Sequence, residues 1–240
     1  MSDASTAGAD QRAELVQANH ILANEGVVDG FGHVSVRLAG RVDRFLIARS
    51  MAPALVGADD ILECDLEGTV HDPQGRPSYV ERFIHSAIYA ARPDVQAVVH
   101  SHSPAVIPFG VSGVRLRPIC HMSGFLGSTT PVFEIRHAVG DGSDLLIRSQ
   151  ALGQALATTL GTAAVALMRG HGSVAVGNSL KQVVYRAIYA EANARLQTEA
   201  MHFGEINFLT AAEAAATAAS VGQHLDRPWQ MWLERLPGGR

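Results

Sequence analysis

The chain has 240 residues, of which 47% are hydrophobic and 18% charged, with a formal net charge of −4. That balance suits a folded core and argues against disorder, and its scattered Lys and Arg give no sign of a nucleic-acid partner. Two cysteines, Cys64 and Cys120, make no disulfide framework; with a polar N-terminus and no 18-residue apolar run, they predict a cytoplasmic protein without membrane contact.

After a short flexible segment, residues 1–9, apolar Leu15, Ala18, Ile21 and Leu22 recur at helical spacing and predict a helix from Ala9 to Asn24. Glycine breaks follow, then Val34, Val36 and Leu38 alternate as in a strand. RFLIA (44–48) and ILECDL (61–66) read as further strands. Residues 79–94 carry Phe83, Ile84, Ala87 and Ile88 on one helical face, with Pro93 as the stop. VQAVVHSH (95–102) is the best-marked strand. Residues 143–161 predict a helix capped by Ser143 or Asp144. AAVALM (163–168) is a buried strand, RGHG (169–172) a tight turn and SVAVG (173–177) the returning strand. Residues 179–203 form a long amphipathic helix, and an Ala-rich helix leads into a C-terminal helical tail over about 206–240, where Trp229 and Trp232 are packing or subunit-interface aromatics. Paired short strands mixed with helices, without strict β-α-β alternation, predict one domain over 1–240 with a mostly antiparallel sheet covered by helices.

Among 11 histidines, His100 and His102 stand two apart at the end of a strand, so their side chains project to one face with Cα atoms roughly 7 Å apart. Two readings stay open for this pair alone: shared ligands of a cation, or polar residues hydrogen-bonded where a strand surfaces. His171 offers a third imidazole, presented between Gly170 and Gly172 by a tight turn that permits close backbone approach. Three imidazoles suit one divalent transition metal (Mn, Zn, Fe or Co) with positions open to oxygen ligands. Glu81, at the start of the second helix, reads either as a helix-start carboxylate favoured by the dipole or as an acid/base beside the metal.

The stretches "FIHSAIYAARPDVQAVVHSHSPA", preceded by Glu81, and "LMRGHGSVAVGNSLKQVVYRAIYAE" resemble the class II aldolase/adducin family in order and spacing over about residues 10–205. The resemblance implies a three-layer α/β/α fold with a central, mainly antiparallel mixed sheet. It also implies a homotetramer with sites near subunit interfaces. Carried over, His100, His102 and His171 would be metal ligands and Glu81 the acid/base. Members acting on sugar phosphates hold the phosphate with a "GN.S" turn, a "T.SG" turn and a serine pair. This chain instead has His33 in "GHVS", Arg49 and Ser50 in "ARSMAP", and Tyr79 in "SYVE".

That altered set, with Arg82 in "ERFIH" and His121 in "HMSGFLG", looks like the decarboxylase branch of the family, whose members act on hydroxylated aromatic or heteroaromatic carboxylates. The expectation is therefore a metal-dependent lyase of aromatic-compound degradation acting on a small carboxylate, with His33, Arg49, Ser50, Tyr79, Arg82 and His121 as candidate substrate contacts. Arg49 is the better carboxylate partner of the two arginines through paired hydrogen bonds. An aldolase acting on an unphosphorylated hydroxy-carbonyl compound is the alternative. A non-catalytic adducin-like scaffold is disfavoured by the complete histidine set.

Overall fold

The structure, a computed structural model, describes residues 2–238. Helix α1 (Ser2–Asn24) leads into β1 (His33–Arg37), β2 (Arg44–Ala48), β3 (Ile61–Asp65) and the short β4 (Val70–His71). Helix α2 (Arg82–Ala91) precedes β5 (Ala97–Ser101); α3 (Ile107–Val111), β6 (Val132–Phe133), α4 (Arg136–Val139) and α5 (Gln150–Leu160) follow. The chain closes with β7 (Val165–Met168), β8 (Gly172–Gly177), α6 (Leu180–Ala200), α7 (Ala211–Val221) and α8 (Asp226–Glu234).

These strands make one open eight-stranded sheet in the order β4-β3-β2-β1-β5-β8-β7-β6. Only the β6–β7 pairing is parallel, so the sheet is mixed and mainly antiparallel. Helices α1 and α6 pack together over one face, and α2 and α5 over the other. Covering both faces explains why β1, β5, β7 and β8 are buried at every position. Leu15, Ile21 and Leu22 of α1, the residues that set its helical spacing, are wholly buried, each contributing about 1.5–3 kcal/mol of apolar burial.

Two boundaries differ from the sequence reading. Helix α1 starts at Ser2 rather than Ala9; Ala4, Ala7 and Ala9 are good helix formers but carry no apolar periodicity to announce it. Residues 143–149 are not helical, and α5 is capped by Ser149, whose hydroxyl accepts from Leu152 N. Ser143 and Asp144 instead bond the N–H groups of Leu145 and Leu146, local turns that compete with a helix start. The tail carries α7 and α8, and Trp229 and Trp232 of α8 are each only 2% exposed within this chain. No helix among the described residues is long and apolar enough to cross a membrane.

Candidate metal centre

Antiparallel pairing of β5 with β1 on one side and β8 on the other puts His33 opposite His100 and Ser101 opposite Ser173. His100 is the penultimate residue of β5, His102 follows the strand's end, and His171 sits in the β7–β8 turn. That turn needs both of its glycines. Gly170 has φ +69°, and a Cβ at Gly172 would lie 2.0 Å from the Ser101 carbonyl oxygen. Only the bare backbone at Gly172 lets the His171 turn approach the end of β5.

The result is a tight cluster in which one donor atom from each of Glu81, His100, His102 and His171 lies within 4.8 Å of all the others. His102 Nε2 is 3.1 Å from His100 Nε2 and 2.9 Å from His171 Nε2. Glu81 Oε2 is 3.6 Å from His100 Nε2 and 3.5 Å from His171 Nε2. Outside the cluster, His100 Nδ1 donates to the Ser173 carbonyl at 3.1 Å and His171 Nδ1 to the Leu145 carbonyl at 2.9 Å. Those bonds keep the protons on Nδ1, so the Nε2 lone pairs of both rings turn inward.

With all three rings neutral, His102 has one Nε2 proton at most to share between two such neighbours, which leaves lone pairs crowded together without protons between them. A cation resolves this. Nitrogens bound at about 2.1 Å and at right angles are about 3.0 Å apart, close to the separations found, and three imidazoles with a carboxylate suit a divalent transition ion. The donor set therefore fits a metal and leaves positions for oxygen ligands.

Glu81 is the N-cap residue of α2, but its side chain makes no capping bond. It is 7% exposed and its Oε1 accepts from Ile147 N at 2.9 Å, so the helix-start reading gives way to one in which the carboxylate serves the histidines. Burial raises its pKa, yet the His171 hydrogen bond, the two imidazoles and the Ile147 N–H outweigh that and hold it at about 2. Burial pushes His100 down to about 3 and lowers His102. For His171 burial also works downward, but its hydrogen bond and charge contact with Glu81 raise it above the ordinary histidine value.

The other sequence candidates divide into two groups. His33 borders the centre, its ring 5.0 Å from that of His100, and Tyr79 packs against His33 at 4.6 Å. Tyr79 donates its hydroxyl to the Met51 carbonyl at 2.5 Å. Arg49 pairs through Nε with Asp60 at 2.6 Å, and Ser50 beside it is exposed. Arg82 donates to the carbonyls of Gly68 and Tyr79 and stacks over Phe83, its neighbour in the same turn. His121 lies elsewhere, lining a cavity of about 420 Å³ with Tyr185, Tyr189 and Met231. Neither Arg82 nor His121 contacts the histidine cluster in this chain.

Three contributors escape a reading by sequence. Residues 145–147 supply a carbonyl to His171 and an N–H to Glu81. Glu191 on α6, 4% exposed, accepts from the Ser103 hydroxyl and from Ala105 N at 3.1 Å, pinning the turn after His102. Phe31, 69% exposed, sets its ring 6.2 Å from that of His102. An acid every few turns of a helix, or one Phe between glycines, carries no signal until the fold brings them together.

The mixed sheet thus ends in three histidines and one carboxylate that could hold a metal ion, with Glu81 and His100 buried and His102 and His171 partly so. Residues 13–198 match the Class II Aldolase and Adducin N-terminal domain, and the chain belongs to that family. It is 40% identical to decarboxylase tropJ of Talaromyces stipitatus, an alignment covering 94% of this chain and 93% of that one. It is 29% identical to the 3,4-dihydroxyphthalate decarboxylase of Arthrobacter keyseri, over 82% of this chain and 81% of the relative. Among solved structures, L-fuculose 1-phosphate aldolase from Glaciozyma antarctica superposes with a TM-score of 0.79 at 27% identity, covering 99% of this chain and 94% of that one. The chain is an enzyme, a carbon–carbon lyase.

Proposed function

We propose that this lyase is a decarboxylase of a hydroxylated aromatic or heteroaromatic carboxylate. The observation that carries the reading is the aromatic surround of the histidine cluster, with the Phe31 ring beside His102 and the His33 ring beside His100, backed by Tyr79. The kinship with two decarboxylases, one of them named for a dihydroxyphthalate, supports it.

His100, His102 and His171 would hold a divalent ion, which supplies a Lewis acid able to stabilise the negative charge left as CO2 departs. Glu81, ionised and fixed through Oε1 by Ile147, accepts the proton of the substrate hydroxyl with Oε2. As the carbon–carbon bond breaks, its electron pair stays on the ring carbon, and Glu81 returns the proton to that carbon. His33 donates a hydrogen bond to a substrate oxygen. Arg49, engaged with Asp60 only through Nε, offers its terminal nitrogens to a substrate carboxylate. Phe31 and Tyr79 pack against the ring.

The test is CO2 release from 3,4-dihydroxyphthalate and a series of hydroxybenzoates by the metal-loaded protein, run beside aldehyde release from unphosphorylated hydroxy-carbonyl compounds. Glu81→Gln should abolish turnover and leave the protein folded. Cleavage of the hydroxy-carbonyl compounds with no aromatic acid consumed would establish the aldolase reading instead.

A further inference from the structure

On β1, residues 33, 35 and 37 share one face of the sheet, and that face meets α2 rather than solvent. Ser35 is wholly buried, His33 is 4% and Arg37 6% exposed, and across from them His85 is wholly buried and Tyr89 1% exposed. His85 and Tyr89 are four apart on α2 and so share its inner face. Beside the apolar Phe45 of β2, which packs on His85 and Tyr89, these buried polar side chains form a continuous chain of bonds. Tyr89 Oη is 2.8 Å from Ser35 Oγ, Ser35 Oγ is 2.6 Å from His85 Nδ1, and His85 Nε2 is 2.6 Å from His33 Nδ1. The far end is closed by Arg37, stacked 4.8 Å from the Tyr89 ring centre.

We propose that His85, backed by Ser35 and Tyr89, is a positioning residue that fixes His33 as the Nε2–H tautomer, so that the wall of the metal centre presents a hydrogen-bond donor and selects a ligand with an acceptor oxygen at that point. The direction of the chain follows from its end. Among the described residues Ser35 Oγ is the hydrogen-bond partner of Tyr89 Oη, so the hydroxyl proton has that one acceptor. Tyr89 therefore donates to Ser35, Ser35 donates to His85 Nδ1, and His85 carries its proton on Nε2 and donates to His33 Nδ1. His33 is left with its proton on Nε2, a nitrogen with no partner among the described residues. Running the chain the other way orphans the tyrosine hydroxyl proton in a wholly buried site, where an unmade hydrogen bond is expensive.

A free imidazole exchanges tautomers and can meet either a donor or an acceptor. His33 held this way meets acceptors only. The ligand class it favours is an ionised carboxylate or phenolate; an ammonium or an amide N–H at that position finds no lone pair. This deepens the decarboxylase reading and rests on it only for the identity of the oxygen.

Neutron diffraction from deuterated, Mn-loaded crystals tests it directly: deuterium is expected on Nε2 of both His33 and His85, and deuterium on His33 Nδ1 would overturn the proposal. In solution, Tyr89→Phe removes the terminal donor while keeping the ring, and should weaken 2,3-dihydroxybenzoate binding to the Mn-loaded protein on the order of tenfold with Mn stoichiometry unchanged. Unchanged affinity in a folded Tyr89→Phe protein counts against it. If the wild-type protein binds no aromatic acid, the decarboxylase reading fails, and the deuterium positions still decide the tautomer.

Discussion

Replacing each glycine beside His171 by alanine separates backbone strain from lost space within one turn. At Gly170 the new methyl would have its nearest neighbour, Leu145 Cδ1, at 3.4 Å, so only the φ of +69° is penalised. A left-handed non-glycine residue costs about 1–2 kcal/mol, which for a chain of this size lowers Tm by about 2–8 °C. At Gly172 the methyl would lie 2.0 Å from Ser101 O and 3.1 Å from His102 Cα. Since such contacts essentially never fall below 3.0 Å, β5 and β8 must part by about 1 Å at the point where they hold His100 and His102 against His171. Overpacking of this kind costs about 1–3 kcal/mol, but the larger effect is on the metal. Metal–nitrogen bonds tolerate about 0.2 Å, so a 1 Å displacement should lower metal affinity by a hundredfold or more. Mn retained after dialysis and Tm with and without Mn are the measurements. Gly170→Ala should lose some stability and keep its metal, whereas Gly172→Ala should lose the metal. A Gly172→Ala protein with wild-type affinity, or a Gly170→Ala protein that loses as much, would refute the argument.

Wild-type protein with Mn or Zn at about 100 times Kd should gain about 2.7 kcal/mol, a Tm rise of about 5–11 °C, that a chelator reverses and His102→Ala abolishes. Because Glu81 raises the pKa of His171 in the metal-free fold, that proton stabilises the metal-free protein fully below the ordinary histidine pKa, and the gain is lost as pH rises through the raised value. Metal must displace the proton, so the thermal gain should be larger at pH 8 than at pH 6; a larger gain at pH 6 contradicts this. Phe31→Ala removes a ring that is 69% exposed, so stability should change by no more than about 0.5 kcal/mol. KM for an aromatic acid should rise about three- to tenfold from lost stacking, and an unchanged KM removes Phe31 from the site. Glu191→Ala leaves the Ser103 hydroxyl and the Ala105 N–H without their acceptor, which should cost about 2–4 kcal/mol in urea unfolding. A loss below 1 kcal/mol would mean that water replaces the carboxylate.

Local chemistry carried much of this protein in the sequence itself. Alternation marked β1, the apolar run RFLIA coincides with β2, and the period-two spacing of His100 and His102 predicted both imidazoles on one face. The glycines around His171 foretold a close backbone approach, and a Cβ at Gly172 would indeed fall 2.0 Å from Ser101 O. Cap chemistry was more ambiguous. Ser143 and Asp144 look like a helix start, yet the same short side chains stabilise the non-helical turns that aim Leu145 O and Ile147 N into the centre.

Only the tertiary structure decided what the polar residues are for. Ser35, His85, Tyr89 and Glu191 lie far apart in the chain from the partners they bond, at separations of 50 residues or more, and a single polar residue on an amphipathic element reads as solvent-facing until a second layer covers it. Periodicity reports which face of an element is apolar. It does not report that the polar face is buried too, because that depends on the helix packed across it, and here the burial of both faces of the sheet turns scattered histidines, serines and a tyrosine into one connected site.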